Sequence, residues 1–524
     1  MTQLLHNSEL VGRVNETINS KSTYKTIFVA AAMLWITLLC WAVGSPMLSA
    51  PDQGYHLAHV WCANGVDHQY CISSNGSAAG RTVSYAVNGD YCYLTRVDKP
   101  VLCGPNRSLI SPKSSLSSYS IGNANYPNGF YSVMNLLVTH NTTLSVILMR
   151  IFNATLAVVL FIFQMILGSR KQRVAWLSAF IFTVVPLTLF LIPSVNGSSW
   201  SIIGVTNAWM FLVIALTLPK NAKKQRRLAV LLWLASAFMC IASRYDSTIF
   251  FVITNALTFF AVKLISFKQN AKRTMSQLFL TSIIGLGLLF STKERLTFLK
   301  SNLSIRTTPF NPLGANFGQW LTSWYMHFLA IPQQALGSGR LGWEEIPLPT
   351  IVSIIGSGFV FSVLLFAALK ISITQVVVAG SATLLMFVTV LRIANMELDL
   401  FNVSGRYVLP LVPFVVGTWV YFSHSEIQLI EIKRFRDLAI ISLSITQAIS
   451  LYTLLERYVM GASGGLRILR LDGVNQWWWP SVVLGPNFIV VIGSLCFCRF
   501  LISALQLIPA SPVDVRKVFD VAPS

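Results

Sequence analysis

Charged side chains are scarce in this chain of 524 residues. Only 11% of its residues are charged, whereas a soluble globular chain carries roughly 25%. Acidic residues are the rarest, since 19 Asp and Glu stand against 39 Lys and Arg, and the formal net charge is +20. This shortage excludes an ordinary cytosolic enzyme, and the 54% hydrophobic content excludes a disordered chain.

Several motifs are absent as well. The sequence contains no Walker A motif, no glycine-rich dinucleotide loop and no evident internal repeat. These absences argue against ATP-driven transport and against an inverted-repeat transporter. The basic residues lie in short clusters between apolar runs, whereas a DNA-binding protein gathers them on a solvated domain. We therefore expect no nucleic-acid partner.

Apolar runs of about 20 residues dominate the chain, and this length crosses roughly 30 Å of hydrocarbon. We predict an all-α polytopic membrane protein with about 12 transmembrane helices, within a range of roughly 10–14. The predicted runs are 26–48, 144–168, 174–194, 200–218, 228–243, 247–266, 277–291, 350–369, 372–391, 407–422, 438–455 and 484–505.

Basic clusters between these runs predict the orientation. Clusters at 170–173, 220–227, 268–273 and 433–436 fall on one side of the membrane, and short loops rich in Lys and Arg stay in the cytoplasm. The first run exceeds a signal-peptide core in length, so we interpret it as a retained helix.

The resulting organisation is a multi-pass protein of the cell membrane, with lipid as a partner and both termini in the cytoplasm. The predicted segments are an N-terminal tail at 1–25, a transmembrane domain at 26–505 with extracytoplasmic connectors at 49–143 and 292–349, and a C-terminal tail at 506–524.

Four of the eight cysteines lie in the first long connector. An even number of cysteines in a segment that faces an oxidising compartment predicts two disulfides, with three possible pairings. The alternatives are four free thiols or a zinc site, although the segment lacks the close Cys pair that most zinc sites contain. The cysteines are Cys62, Cys71, Cys92 and Cys103.

The same connector opens with a candidate catalytic acid, Asp52. Ser49 as N-cap, Pro51 near the start and Asp52 in the first turn predict a short helix at the membrane surface. In the structural interpretation, the carboxylate offsets the helix dipole by about 0.3–1 kcal/mol. In the functional interpretation, Asp52 is a general base that takes the proton from an acceptor hydroxyl.

Two histidines follow Asp52 on the same predicted helix. His56 and His59 lie four and seven residues after Asp52, so a helix places them on one face. Imidazole and carboxylate together can bind a divalent cation. The alternative role for both histidines is to line a polar groove.

Three arginines are predicted at the outer ends of helices. Arg244, Arg392 and Arg406 lie where the positive-inside rule does not favour them. A guanidinium at that depth can bind a phosphate through two hydrogen bonds. The alternative interpretations are an Arg244–Asp246 ion pair or extension of the side chains to the lipid head groups.

Four motifs in order along the chain resemble a known family. They are Ala-Pro-Asp-Gln at 50–53, Pro-Ser-Val-Asn-Gly-Ser-Ser-Trp at 193–200, Leu-Gly-Trp through Pro-Leu-Pro at 341–349, and Gly-Arg-Tyr-Val-Leu-Pro at 405–410. Together they resemble domain-of-unknown-function family 2142, predicted membrane proteins placed with the GT-C glycosyltransferases, over roughly 25–505. The connector cysteines resemble its actinobacterial branch. The family commonly has Pro-Asp-Glu where this chain has Gln53.

The resemblance implies a GT-C-like fold and a glycosyltransferase activity. Such enzymes move a sugar from a polyprenyl phosphate to an acceptor hydroxyl or amide, here in a cell-envelope glycan, glycolipid or protein on the extracytoplasmic face. Asp52 would be the base, and the three arginines would stabilise the leaving phosphate. The remaining candidate substrate-binding residues are His56, His59, Trp343 and Tyr407.

No cofactor is expected, and a divalent metal remains an open alternative that Gln53 weakens. Two other functions also remain open. A transporter or flippase is one, although the spans carry almost no charge away from their ends, which argues against proton coupling. A non-catalytic assembly partner is the other, and the change at Gln53 is the feature that favours it.

Overall fold

The computed structural model of the protein is mainly helical. It describes residues 21–65, 71–73, 80–84, 87, 91–103, 116–120, 126–266, 336, 340–343, 345–396, 405–425, 427–461, 471–473, 478 and 484–508. The helices in chain order are α1 (Lys21–Gly44), α2 (Gln53–Trp61), α3 (Cys92–Thr95), α4 (Asn128–Asn135), α5 (Thr142–Leu167), α6 (Arg170–Thr183), α7 (Pro186–Leu191), α8 (Gly197–Thr217), α9 (Lys223–Ser243), α10 (Tyr245–Ser266), α11 (Thr350–Ala367), α12 (Ile373–Met396), α13 (Val412–Tyr421), α14 (Lys433–Met460) and α15 (Pro486–Gln506).

Within the described ranges, eight helices are long and apolar enough to span a membrane. They are α1, α5, α8, α9, α10, α11, α14 and α15. Two shorter apolar stretches, Ile373–Thr389 and Val412–Tyr421, fall in α12 and α13. The prediction of a polytopic helical membrane protein is therefore confirmed, whereas the number twelve is not. The predicted span at 277–291 lies outside the described residues.

The continuous helix predicted over 174–194 is wrong. The chain forms α6 and α7 instead, with Val185 in an extended conformation between them and Pro186 as the first residue of α7. A proline lacks the amide hydrogen of a helix interior, and its ring disfavours helical geometry in the residue before it. Pro186 therefore ends the first helix and begins the second.

The helices pack as neighbours around one large apolar core, with two smaller apolar clusters beside it. α1 contacts both α5 and α15, and α8 contacts both α9 and α10. The approach of α8 to α9 is close because Gly204 has no side chain: a Cβ there would lie 2.6 Å from Cys240 Sγ and 2.9 Å from the Ser236 carbonyl oxygen. This packing brings the end of α9 to the start of α8, where the candidate site lies.

Basic residues from separate connectors meet at one end of the bundle. Arg170, at the start of α6, lies 2.5 Å from Glu431, just before α14. Arg436 donates to the carbonyl of Ile508 after α15, at 2.8 Å. The cluster at 268–273 lies outside the described residues. This grouping agrees with the pattern on which the orientation was predicted, and the orientation itself stays a prediction.

The first long connector contains both predicted disulfides. They are Cys62–Cys71 and Cys92–Cys103, which selects one of the three possible pairings. The connector also holds a small antiparallel sheet, so the expectation of an all-α protein is wrong in this segment. Its strands are β1 (Ile72–Ser73), β2 (Gly80–Ser84) and β3 (Leu116–Ser120), with β2 in the centre.

Candidate functional site

Asp52 and Arg406 form an ion pair just beyond the end of α1. Arg406 Nη2 donates to Asp52 Oδ2 at 2.7 Å, and the two residues are 354 positions apart in the chain. The Asp52 side chain is 39% exposed and the Arg406 side chain 10%. The carboxylate is therefore accessible, while its cationic partner is largely buried.

Asp52 does not occupy the predicted first turn of a helix. Helix α2 begins at Gln53, and Asp52 is its N-cap in the left-handed region, with φ 56°, ψ 15° and no side-chain cap hydrogen bond. The predicted N-cap Ser49 donates its hydroxyl to the Pro46 carbonyl instead, at 2.8 Å. Left-handed geometry costs about 1–2 kcal/mol for a residue with a Cβ. The surrounding contacts must supply that energy.

Two distant side chains hold the backbone of the turn at residues 48–52, which directly precedes α2. Asn196 Nδ2 donates to the Pro51 carbonyl at 2.6 Å, and Trp343 Nε1 donates to the Leu48 carbonyl at 2.8 Å. Leu48 is also left-handed, with φ 63°. Non-glycine residues in sparsely populated conformations persist only where their surroundings enforce them, and they cluster at functional sites.

All four sequence motifs therefore meet at this one turn. The motif at 50–53 supplies the turn and Asp52, the motif at 193–200 supplies Asn196, the motif at 341–349 supplies Trp343, and the motif at 405–410 supplies Arg406. Trp343 contacts the turn with its indole nitrogen and remains 44% exposed. Its role in binding substrate stays a prediction.

The Tyr407 ring connects a second arginine, Arg244, to the ion pair of Asp52 and Arg406. The guanidinium carbons of Arg406 and Arg244 lie 5.0 Å and 5.2 Å from the centre of the Tyr407 ring. Arg406 Nη2 also donates to the Tyr407 hydroxyl at 3.1 Å. Cation–π contacts of this geometry stabilise a buried guanidinium without adding negative charge. Arg406, Arg244 and Asp52 thus share a single cluster, which also contains Asp246, the acidic partner of Arg244.

Arg244 makes the ion pair with Asp246 that was one of the alternative interpretations for the three arginines. Its Nε and Nη2 donate to the two carboxylate oxygens at 2.9 Å and 2.7 Å, and its Nη1 donates to Ser198 Oγ at 3.3 Å. Ser198 is adjacent to the start of α8, whose N-cap is Asn196. The ion pair and the cluster around Asp52 therefore coexist and share the same helix end.

His56 lines the cluster as a neutral imidazole. It is fully buried, and its Nδ1 lies 2.9 Å from the Tyr131 hydroxyl. Burial lowers the pKa of His56 well below its usual value, and the charges of Arg244 and Arg406 lower it further. Its Nε2 has no hydrogen-bond partner among the described residues.

His59 lies beside His56 in an aromatic lining. Its Nδ1 is 2.9 Å from the Tyr55 carbonyl oxygen, and both imidazoles lie within 6 Å of the Tyr131 ring, at 5.9 Å for His56 and 5.1 Å for His59. Burial lowers the pKa of His59 as well. In the part of the chain that the structure describes, no three His, Cys, Asp or Glu side chains form a metal-binding group.

Sequence reasoning missed the environment of Gln53. Gln53 is buried, and its Oε1 accepts from the Ala50 amide at 3.2 Å and from Arg150 Nη2 at 3.5 Å. Arg150, in α5, also donates to the carbonyl of Ala42 in the last turn of α1, at 2.7 Å, and to that of Pro46 just after α1, at 2.8 Å. Position 53 thus faces α5, and Gln53 leaves the pair of Asp52 and Arg406 untouched.

The remaining candidate, Arg392, lies in α12 with its side chain outside the described residues. Asn196 was missed as a site residue, although an Asn before a glycine at a helix start is a recognisable N-cap signal. The described cluster places an accessible carboxylate next to two guanidinium groups. This combination can hold an anionic group such as phosphate beside a proton acceptor.

Comparisons with known proteins identify a family for the chain. No curated protein and no solved structure matches it. A sequence profile of the DUF2142 family, described as predicted membrane protein, matches residues 35–415. That range includes Asp52, Asn196, Trp343 and Arg406, the four residues that meet at the turn. The chain therefore belongs to the DUF2142 family of predicted membrane proteins.

Proposed function

We propose that this protein is a membrane glycosyltransferase that moves a sugar from a polyprenyl-phosphate donor to a cell-envelope glycan, glycolipid or protein. The observation that carries the proposal is the 2.7 Å contact of Asp52 with Arg406, in one cluster with Arg244. A base and cationic groups side by side are what this reaction requires.

In the proposed reaction, Asp52 accepts the proton of the acceptor group as the acceptor atom attacks the anomeric carbon. The bond between that carbon and the phosphate oxygen breaks, and the polyprenyl phosphate leaves with the bonding electrons. Arg406 and Arg244 stabilise its negative charge, and they do so more strongly because the protein largely excludes water from them. Attack opposite the leaving group inverts the anomeric configuration.

The location of the reaction is part of the proposal. Arg170 and Arg436 lie in the first turns of α6 and α14, at the basic end of the bundle. Asp52 follows the C-terminal end of α1, at the opposite end of the bundle. Because basic connectors stay in the cytoplasm, Asp52 then faces the extracytoplasmic side, with both termini inside. A GT-C-like fold and membership of the actinobacterial branch belong to the same proposal.

Purified full-length protein in proteoliposomes, supplied with a labelled polyprenyl-phosphate sugar and a crude envelope acceptor, tests this function. Asp52→Asn should abolish transfer, because it removes the base in a side chain of equal size that tolerates left-handed geometry. The matched control Asp98→Asn changes an exposed acid, 54% exposed and paired with Arg96, and should retain activity.

The arginines have a separate readout. Arg406→Ala and Arg244→Ala should raise the donor concentration needed for half-maximal rate more than they raise that of the acceptor, because the two arginines bind the donor phosphate.

Full activity in Asp52→Asn would remove Asp52 as the base. Movement of the donor across the bilayer without transfer would favour a flippase. In a strain without the protein, an accumulating prenyl-phosphate sugar or a truncated glycan would identify both substrates.

A further inference from the structure

We propose that Arg406 exchanges partners during the reaction: it binds Asp52 while the site is empty and releases Asp52 when a polyprenyl phosphate arrives. This inference rests on the proposed function and adds an order of binding to it. The donor enters first, and its phosphate frees the base. The acceptor then meets an unpaired carboxylate.

The exchange follows from the two hydrogen bonds that one nitrogen atom, Arg406 Nη2, makes in the structure. Arg406 Nη2 carries two hydrogens, one directed to Asp52 Oδ2 at 2.7 Å and one to the Tyr407 hydroxyl at 3.1 Å. A guanidinium binds a phosphate in two-point fashion through Nε with Nη2 or through Nη1 with Nη2. Both arrangements use a hydrogen of Nη2. A two-point contact with phosphate must therefore displace Asp52 or Tyr407.

Asp52 is the partner that can leave. Tyr407 is the residue next to Arg406 in the chain, and its ring also contacts both guanidinium groups. Asp52 comes from a different segment, and its side chain is 39% exposed. A displaced Asp52 carboxylate keeps access to water, so its release costs little desolvation.

The other ion pair of the cluster is built differently. Arg244 binds both oxygens of Asp246, two residues away, at 2.9 Å and 2.7 Å. Two parallel hydrogen bonds within one local segment resist displacement more than a single contact does. The structure thus distinguishes a local pair, Arg244 with Asp246, from a single-contact pair, Arg406 with Asp52.

Release of the carboxylate leaves the backbone of the turn in place. Asn196 and Trp343 hold the carbonyls of Pro51 and Leu48, and neither bond involves the Asp52 side chain. Rotation of the Asp52 side chain therefore suffices to move its oxygens from Arg406 to an acceptor hydroxyl. The strained turn presents the base in both states.

The exchange makes a counterintuitive prediction about affinity. Farnesyl phosphate, a short polyprenyl phosphate, is titrated against purified full-length protein in nanodiscs, and its dissociation constant is measured by microscale thermophoresis. Asp52→Asn should bind it about tenfold more tightly than the wild type, equivalent to about 1.4 kcal/mol, because the competing anion is gone. The same substitution should abolish sugar transfer.

Three comparisons isolate the pair. Arg406→Gln should bind weakly, and Asp52→Asn combined with Arg406→Gln should show no gain over Arg406→Gln alone. The charge-matched control Asp98→Asn should bind as the wild type does. A gain that persists without Arg406, or an equal gain in Asp98→Asn, would reduce the effect to general electrostatics and overturn the exchange.

The outcomes also separate the exchange from the function it rests on. Tight binding by the wild type with no gain in Asp52→Asn refutes the exchange and leaves the glycosyltransferase proposal standing. Absence of binding in the wild type and all variants refutes the polyprenyl-phosphate donor and the exchange together. Thermal unfolding of each variant before titration confirms that the proteins compared are folded.

Discussion

Asn196 offers a direct test of how the turn that carries Asp52 is held. The side chain is 1% exposed and makes two contacts: Nδ2 donates to the Pro51 carbonyl at 2.6 Å, and Oδ1 accepts from the Ser198 amide at 2.8 Å. Asn196→Ser keeps a cap for α8 but is too short to reach Pro51. Asn196→Ala removes both contacts. The two variants therefore separate the cap from the contact with the turn.

The expected magnitudes follow from these contacts. In Asn196→Ser, the buried Pro51 carbonyl loses its donor, which costs about 1–3 kcal/mol of unfolding free energy. Asn196→Ala loses the cap as well, which adds about 1 kcal/mol. Because Asp52 directly follows Pro51, even a small displacement moves the carboxylate that we propose as the base. We expect sugar transfer by Asn196→Ser to fall by about 10- to 100-fold.

A matched control distinguishes lost position from lost stability. Asn255 in α10 is also a buried asparagine, 6% exposed, and it accepts from Trp233 Nε1 at 2.9 Å. Asn255→Ser should lower the unfolding midpoint to a similar extent and leave transfer by the folded protein unchanged. Midpoints are measured by intrinsic fluorescence, and transfer is normalised to folded protein. Wild-type transfer in Asn196→Ser, or equal losses in both variants, would refute the reasoning.

Three further predictions concern the connector, the histidine and Gln53. Burial lowers the pKa of His56, so the unfolded chain binds more protons than the folded protein below about pH 6.5, and stability falls as the pH drops through that range. His56→Asn should flatten the fall of the unfolding midpoint between pH 7 and pH 5. An unchanged profile would contradict this. Gln53→Glu should pair with Arg150 and raise the unfolding free energy by about 1–3 kcal/mol with transfer unchanged; a lowered midpoint in thermal unfolding would argue against that contact. Alkylation of the denatured, unreduced protein should label only the four thiols outside the two disulfides, Cys40, Cys240, Cys496 and Cys498. More than four labels in mass spectrometry would disprove the two disulfides.

Composition and local pattern determined the class of the protein. The shortage of charge and the long apolar runs predicted a polytopic helical membrane protein, because the length and polarity of a span are properties of consecutive residues. The number of disulfides followed from cysteines gathered in one connector. The break at Pro186 was also a local signal, and the length of the apolar run concealed it.

Only the tertiary structure decided how distant segments meet. Asp52 and Arg406 are 354 residues apart, and Trp343 reaches Leu48 across 295. Such contacts depend on which helices pack as neighbours and how their ends align, and periodicity along the chain carries no information about either. The left-handed geometry of Asp52 has the same origin, since contacts from three other motifs enforce a conformation that the local sequence disfavours.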